Sequence, residues 1–82
     1  MMFYVYMLKG VNSKITKTYV GYTNNLKLRL KKHNSGTGAK STRGYKWKII
    51  YKKRFYDKRL AMSFEYKLKK DLKKRRYLLS NS

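Results

Sequence analysis

The stretch FYVYML, residues 3–8, constrains the fold of this chain most strongly, because no other apolar run is longer. It is short, wholly apolar and rich in the valine and aromatic residues that favour strands. A strand without polar alternation is covered on both faces, so it lies inside a sheet rather than at an edge. The run therefore predicts the central strand of a small β-sheet.

The residues that follow predict an antiparallel hairpin. Residues 10–14 (GVNSK) have the composition of a turn, and residues 16–22 (TKTYVGY) are again β-branched and aromatic. A symmetric two-residue turn at Asn12–Ser13 would place Tyr6 opposite Tyr19, and we take that register as the expectation.

A third strand is predicted at residues 47–55 (WKIIYKKRF), after a polar loop over residues 34–46. Apolar and basic residues alternate in this strand, which favours one buried and one exposed face. The residues expected on the apolar face are Trp47, Ile49, Tyr51 and Phe55.

A helix is predicted between the second and third strands. Thr23 or Asn24 can cap a helix that begins near Asn25, and Gly36 ends it. Residues spaced i, i+3, i+4 and i+7 form one face of this helix. That face comprises Leu26, Arg29, Leu30 and His33.

From Asp57 onward the apolar period becomes helical, and the tail over residues 73–82 adds a last short helical turn. The apolar stripe consists of Leu60, Ala61, Phe64, Leu68 and Leu72. The order β-β-α-β-α(-α) predicts an α+β fold, a three-stranded antiparallel sheet flanked by helices. A chain of 82 residues allows one domain over 1–82, with its core at about 3–75.

The charge of the chain indicates a polyanionic partner. Lysine and arginine number 23 against three acidic residues, which gives a net charge of +20. Nucleic acid relieves such self-repulsion best, although an acidic protein, a membrane surface or compositional drift would also account for it. The chain has no cysteine and no signal peptide, so we expect a cytoplasmic protein that does not enter a membrane.

Three polar residues lie where the helical patterns expect apolar ones. Glu65, the only glutamate, lies at the margin of the second helix's apolar stripe, where a carboxylate needs a cation or a donor. Arg29 and His33 share a face with leucines. A salt bridge from Glu65 to a lysine and a hydrogen-bonded core His33 are the simplest explanations, and a functional role remains open.

Gly21 lies two residues after Tyr19, on the same face of the second strand. A glycine there leaves a hollow in which another group can approach the backbone. Taken alone, Tyr19 is an ordinary strand tyrosine.

The order and spacing of these residues resemble the GIY-YIG nuclease superfamily. Its first motif corresponds to YVY at 4–6 and its second to YVG at 19–21. The family arginine falls at Arg29, ten residues beyond the second tyrosine, and the family glutamate at Glu65 in AMSFEYKLKK. The resemblance extends over about 3–75.

The sequence is also similar to the small stand-alone bacterial members of that superfamily, through GAKSTRG and YVGYTNNLKLRLKKHN. It departs from the family name at Tyr4, where the motif has glycine, and at Val5 and Val20, where it has isoleucine. It lacks an additional DNA-binding or zinc domain, which leaves target specificity open.

The resemblance implies a metal-dependent endonuclease that hydrolyses phosphodiester bonds of nucleic acid with little sequence specificity; DNA is favoured over RNA, but the sequence does not decide between them. It implies one divalent cation, Mg²⁺ or Mn²⁺, held by Glu65. Asp57 and Asp71 lie off the helical face of Glu65, so a two-metal carboxylate cage is not available. The implied catalytic residues are Tyr6, Tyr19, Arg29, His33 and Glu65, with Gly21 in a structural role.

Within that set, Tyr19 or His33 would be the base, Tyr6 would orient water or phosphate, and Arg29 would hold the scissile phosphate. A partner protein or a homodimer would supply specificity. Two alternatives stay open: a nucleic-acid-binding module of the same fold without useful catalysis, and a basic ribosome-associated or architectural protein.

Exposed basic residues would bind the nucleic-acid backbone without reading its sequence. Those of the glycine-rich loop and the third strand are also consistent with a solvated surface. The residues expected to bind are Lys40, Arg43, Lys46, Lys48, Lys67, Lys70 and Lys74.

We expect replacement of Lys67, Lys70 and Lys74 by glutamine to weaken binding to all nucleic-acid sequences alike. The slope of log affinity against log salt should flatten by about one unit for each phosphate that the variant no longer neutralises. Fluorescence anisotropy with two unrelated duplexes over a salt series measures both. An unchanged slope would show that these lysines are only solvated surface.

Overall fold

The computed structural model describes residues 2–82, and within that range the predicted order of strands and helices is confirmed. The three strands form one antiparallel sheet, and the loop before the third strand contains a short 3₁₀ turn at Lys40–Thr42. The elements are β1 Phe3–Gly10, β2 Thr18–Thr23, α1 Leu26–Ser35, β3 Trp47–Phe55, α2 Lys58–Lys70 and α3 Leu72–Ser80.

The strand β1 is central, in the order β2-β1-β3, as its unbroken apolar run predicted. Its four successive residues Val5, Tyr6, Met7 and Leu8 are each at most 1% exposed. Since neighbouring side chains of a strand point to opposite faces, β1 contributes to a core on each side of the sheet.

The expected register of the β1–β2 hairpin is wrong by two residues. Tyr6 pairs with Gly21, and Tyr19 pairs with Leu8. The connection is longer than a two-residue turn, because the backbone N–H of Gly10 donates to the carbonyl of Lys17 and closes the loop there. A slip of two residues keeps each side chain on its face, so Tyr6 and Tyr19 remain diagonal neighbours.

The third strand changes face through a β-bulge. Met7 pairs with Tyr51 but Leu8 pairs with Ile49, so Ile50 is the extra residue. The prediction of one apolar face for this strand is therefore wrong. Trp47 and Ile49 lie on one side of the sheet, and Tyr51 and Phe55 lie on the other.

Each face of the sheet carries its own core. One core combines Tyr6, Leu8 and Trp47, with Leu26 and Leu30 of α1 packed against them. The other lies beneath α2 and α3, with Leu78 of α3 packed at its margin. Its buried members are Val5, Met7, Val20, Ala61 and Leu68.

The first helix begins one residue later than predicted. Its N-cap is Asn25, whose side chain accepts a hydrogen bond from the backbone N–H of Leu28, rather than Thr23 or Asn24. Thr23 instead accepts from the N–H of Asn25. Gly36 ends the helix as predicted, at a φ of 83° that favours glycine.

The C-terminal helical segment is two helices, because Asp71 interrupts it. Its side chain accepts from the backbone N–H of Lys74 at 3.0 Å and caps α3. The break removes Leu72 from the predicted apolar stripe, where it is 61% exposed, and Leu60 is also 60% exposed. Within residues 2–82, no helix is both long and apolar enough to cross a membrane.

We expect Asp71→Ala to lower the free energy of unfolding by about 1 kcal/mol, because the first turn of α3 loses its cap. Asp71→Asn should change it by only a few tenths, since asparagine caps equally well. Both variants raise the net charge by one unit, so urea unfolding of the pair isolates the cap. Equal destabilisation would show that the charge of Asp71 matters instead.

Candidate active site

A chain of buried hydrogen bonds joins β1, α1 and the 3₁₀ turn. The Tyr6 hydroxyl lies 2.9 Å from His33 Nε2, and His33 Nδ1 lies 2.9 Å from Thr42 Oγ1. The Thr42 hydroxyl donates in turn to the carbonyl of Ala39 at 2.7 Å. Tyr6, His33 and Thr42 are at most 1% exposed, so the chain is closed to solvent at its centre.

Tyr19 packs against this chain from β2. Its ring centroid lies 4.9 Å from that of His33 and 6.3 Å from that of Tyr6. Gly21 makes the arrangement possible, since a Cβ there would lie 2.6 Å from the Tyr6 hydroxyl and 2.9 Å from the Tyr19 ring. The hollow expected at Gly21 is thus occupied by the two tyrosines.

Arg29 lies one helical turn before His33 and has an unusual environment. Its Nε is buried and has no hydrogen-bond partner among residues 2–82. The Tyr6 phenol raises the pKa of Arg29, against the opposing effect of burial. The guanidinium interacts with the tyrosines, but its buried Nε lacks an acceptor among the described residues, and such a donor suits an anionic ligand.

A cleft beside Arg29 has cationic and neutral residues in its lining. One cavity of about 370 Å³ extends from Arg29 to Lys58 at the start of α2. An adjoining cavity of about 190 Å³ is lined by Arg29 and Lys32. Neither is lined by an acidic residue, so both favour negative charge.

Burial keeps both ends of the Tyr6–His33 hydrogen bond neutral. It raises the pKa of Tyr6 to about 12, although Arg29 acts in the opposite direction. It lowers the pKa of His33 below its usual 6.5, and the charge of Arg29 lowers it further. At neutral pH, Tyr6 therefore retains its proton and His33 carries no charge.

Glu65 is placed differently from the other four predicted catalytic residues. It lies on α2, which packs on the opposite face of the sheet from α1, and its carboxylate is 3.4 Å from Lys69 Nζ. Its side chain is only 15% exposed, and its charge contributes to the raised pKa of Tyr6. The structure thus brings Tyr6, Tyr19, Arg29 and His33 together, and the participation of Glu65 in the same catalytic set stays a prediction.

The other two acidic residues are committed to helix caps. Asp57 accepts from the backbone N–H of Arg59 at 2.7 Å and begins α2, as Asp71 begins α3. No group of three His, Cys, Asp or Glu side chains that could hold a metal ion occurs in the described chain. Glu65 is therefore the one acidic side chain available to a ligand.

All seven residues predicted to bind nucleic acid are exposed. Two of them already contact the protein's own aromatic rings: Lys70 Nζ lies 4.3 Å from the centroid of Tyr66, and Lys74 Nζ lies 5.3 Å from that of Phe64. Lys67 lies on the exposed surface of α2 without such a contact among those described. Lys40 and Arg43 flank Thr42, whose hydrogen bonds to His33 and to the carbonyl of Ala39 fix this loop.

Thr42 is the site residue that sequence reasoning missed. It lies in a polar loop without periodicity, so nothing local marks it as buried. The one local signal is that Thr42 lies among charged and small residues in the segment KSTRG, residues 40–44. Only folding brings Thr42 within 2.9 Å of His33, which lies nine residues earlier in the sequence.

Comparisons with known proteins identify the family to which this chain is similar. The GIY-YIG catalytic-domain family matches residues 2–78. A UPF0213 protein of Clostridium perfringens is 48% identical over 68 residues, which cover 82% of this chain and 70% of the relative. A UPF0213 protein of Oceanobacillus iheyensis is 45% identical over 67 residues, covering 80% and 74%.

A solved structure is similar as well. The solution NMR structure of a UPF0213 protein from Bacillus halodurans matches with a TM-score of 0.53 at 37% identity. The match covers 100% of this chain and 86% of that one.

We expect the free energy of unfolding to fall as pH is lowered from about 6.5. His33 is the only histidine, and its pKa is lower in the folded chain than in the unfolded one. The unfolded state therefore binds a proton first, and stability falls by up to about 1.4 kcal/mol per pH unit until the folded pKa is reached.

Urea unfolding at stepped pH measures this dependence. His33→Gln is the control, because it removes the histidine and should abolish the slope in this window, where carboxyl groups titrate little. If the slope persists in the variant, His33 is not its source.

Proposed function

Since this chain belongs to the GIY-YIG catalytic-domain family, we propose that it is an endonuclease that hydrolyses phosphodiester bonds of DNA with the help of one divalent cation. The observation that supports this most directly is the contact group of Tyr6, Tyr19 and His33 beside Arg29, whose buried Nε has no acceptor among the described residues.

Arg29 would bind the scissile phosphate. A phosphate oxygen supplies the acceptor that Nε lacks, in a charge-assisted hydrogen bond. Lys32 and Lys58 line the adjoining cavities and would hold the backbone on either side. The same guanidinium would offset the charge that develops as the phosphate is attacked.

Glu65 would hold the cation. Mg²⁺ and Mn²⁺ prefer oxygen ligands, and Mg²⁺ often takes one carboxylate and completes its coordination with water and phosphate. Glu65 fits this role because it is largely withdrawn from water and its ion-pair partner, Lys69, is half exposed and free to move aside. When bound, the cation would polarise the phosphate or stabilise the leaving oxygen.

Tyr19 is the better candidate for the base that activates water. The Tyr6 phenol is disfavoured, because burial raises its pKa to about 12. His33 Nε2 is engaged by the Tyr6 hydroxyl at 2.9 Å, so it has no lone pair free for water. Tyr19 packs against both residues with its ring tilted and is partly exposed.

The charge of the chain would supply affinity without sequence preference. A net charge of +20 attracts any nucleic-acid backbone, and no element presents an obvious base-reading surface. We infer that the shape of the DNA, such as a branch or flap, or a partner protein or second copy, determines where the enzyme acts.

We expect Glu65→Gln to abolish cleavage without weakening DNA binding. The substitution removes the proposed metal ligand and raises the net charge to +21, so electrostatic attraction should not fall. The assay is cleavage of single-stranded, duplex, flap and four-way DNA with Mg²⁺, Mn²⁺ or EDTA, beside anisotropy binding.

Asp57→Asn is the matched control. It changes the net charge equally and keeps the cap of α2, so it should cleave as the wild type does. If Glu65→Gln cleaves as well as this control, the proposed metal site is wrong. If the wild-type protein binds DNA but cleaves no substrate with either cation, the chain is a binding module of the same fold.

A further inference from the structure

We propose that Thr42 is a positioning residue that fixes His33 in the tautomer with hydrogen on Nδ1. In that tautomer the Tyr6 hydroxyl donates a hydrogen bond to His33 Nε2 and presents its oxygen lone pairs to the site. The catalytic consequence rests on the proposed function. The tautomer itself does not, and it is measurable without any activity.

The direction of the hydrogen-bond chain is set first at Thr42. A threonine hydroxyl has one hydrogen, and the carbonyl of Ala39, 2.7 Å away, can only accept it. The Thr42 oxygen must therefore accept from His33 Nδ1, which lies 2.9 Å away. In a neutral imidazole with hydrogen on Nδ1, Nε2 is an acceptor.

Tyr6 gives the same direction from the other end. The guanidinium of Arg29, which interacts with the Tyr6 phenol, carries only donors, so the phenol cannot donate to it. The acceptor at 2.9 Å is His33 Nε2. The Tyr6 end of the chain is therefore consistent with the tautomer that Thr42 requires, and the two arguments use different atoms.

The loop around Thr42 holds this geometry. The indole Nε1 of Trp47 donates to the Thr42 carbonyl at 2.9 Å. Gly38 packs on the other side of the ring, where a Cβ would lie 2.7 Å from His33 Nδ1, and its N–H donates to the carbonyl of Lys32. No side chain other than hydrogen fits between Gly38 and the Nδ1 that Thr42 engages.

The tautomer determines what Tyr6 offers to the site. With Nδ1–H, the phenol proton points inward and the oxygen accepts hydrogen bonds from Arg29 or from water. With Nε2–H, the imidazole would donate to Tyr6, and the phenol proton would point toward the cationic Arg29, which disfavours it. The groups that face the ring and set its charge are Tyr6 on β1, Tyr19 on β2 and Arg29 on α1.

The test is nitrogen NMR of the ring, recorded well above the pKa of His33. Because His33 is the only histidine, its two nitrogen signals need no assignment among residues. The wild-type protein should show a protonated Nδ1 and an unprotonated Nε2. Thr42→Val removes the acceptor and should raise the Nε2–H population, whereas Thr42→Ser should retain the wild-type signals.

Thr37→Val is the matched control in the same loop, because Thr37 is exposed and does not contact His33. It should leave the ring signals unchanged. A wild-type ring with hydrogen on Nε2, or a Thr42→Val ring identical to the wild type, would overturn the proposal.

Gly38→Ala provides a second route if Thr42→Val does not fold. Its added methyl group would push against Nδ1 and should separate it from Thr42, again raising the Nε2–H population. An unchanged tautomer in this variant would contradict the proposal that the contact between Thr42 and Nδ1 fixes the tautomer.

Cleavage kinetics test the catalytic consequence. Thr42→Val should lower kcat on the order of 10- to 100-fold with little change in KM, as for other residues that orient a functional histidine, and Thr42→Ser should restore it. Wild-type kcat in Thr42→Val, with the tautomer changed, would show that the tautomer does not matter. If the wild-type protein does not cleave, the proposed function fails while the ring signals still decide the role of Thr42.

Discussion

The complete burial of β1 on both faces is the constraint on which the rest of the structure depends. Val5 and Met7 pack beneath α2, whereas Tyr6 and Leu8 pack beneath α1. In so small a domain, one strand therefore supplies both cores. Because Tyr6 belongs to this strand, the site has a rigid foundation: its phenol cannot move without disturbing the centre of the sheet.

The described lysine side chains contact aromatic rings more often than they pair with acidic side chains. The acidic side chains are two helix caps and the pair of Glu65 with Lys69. Lysines lie over rings instead, as Lys53 does over Phe64 at 4.9 Å and Lys70 over Tyr66 at 4.3 Å. Such contacts stabilise the lysines in place without neutralising them. The positive charge of the chain is therefore not neutralised, and Arg29 with Lys58 or Lys32 lies in the lining of the two clefts beside the proposed site.

One of the two cores contains polar chemistry, and that core is the candidate site. His33 and Thr42 are fully buried among Tyr6, Leu8 and Trp47, and each has its hydrogen-bond partners. Satisfied polar groups in a dry environment hold their orientation, which is what positioned chemistry requires. Arg29 is the exception, with a buried donor left open beside the cleft. This contrast separates the residues that position the site from the residue proposed to bind the ligand.

The sequence by itself determined the features that depend on near neighbours in the chain. The apolar run of β1 indicated a central strand, and the helical spacing that puts Arg29 and His33 on one face with Leu26 and Leu30 predicted α1, because the strand and helix periods are local. A two-residue error in the hairpin register left Tyr6 and Tyr19 on one face, since side chains alternate with period two.

Only the tertiary structure decided the features that depend on packing between distant segments. The bulge at Ile50 splits the third strand between two cores, and the break at Asp71 ends α2 before Leu72. The apolar face predicted for the third strand and the apolar stripe predicted for the second helix therefore each included residues that the structure places elsewhere. Thr42 reaches His33 because the loop closes over the ring, and α2, which carries Glu65, packs on the face of the sheet opposite α1. Local periodicity cannot predict such placements, because the geometry of the connections and the fit between packed surfaces determine them.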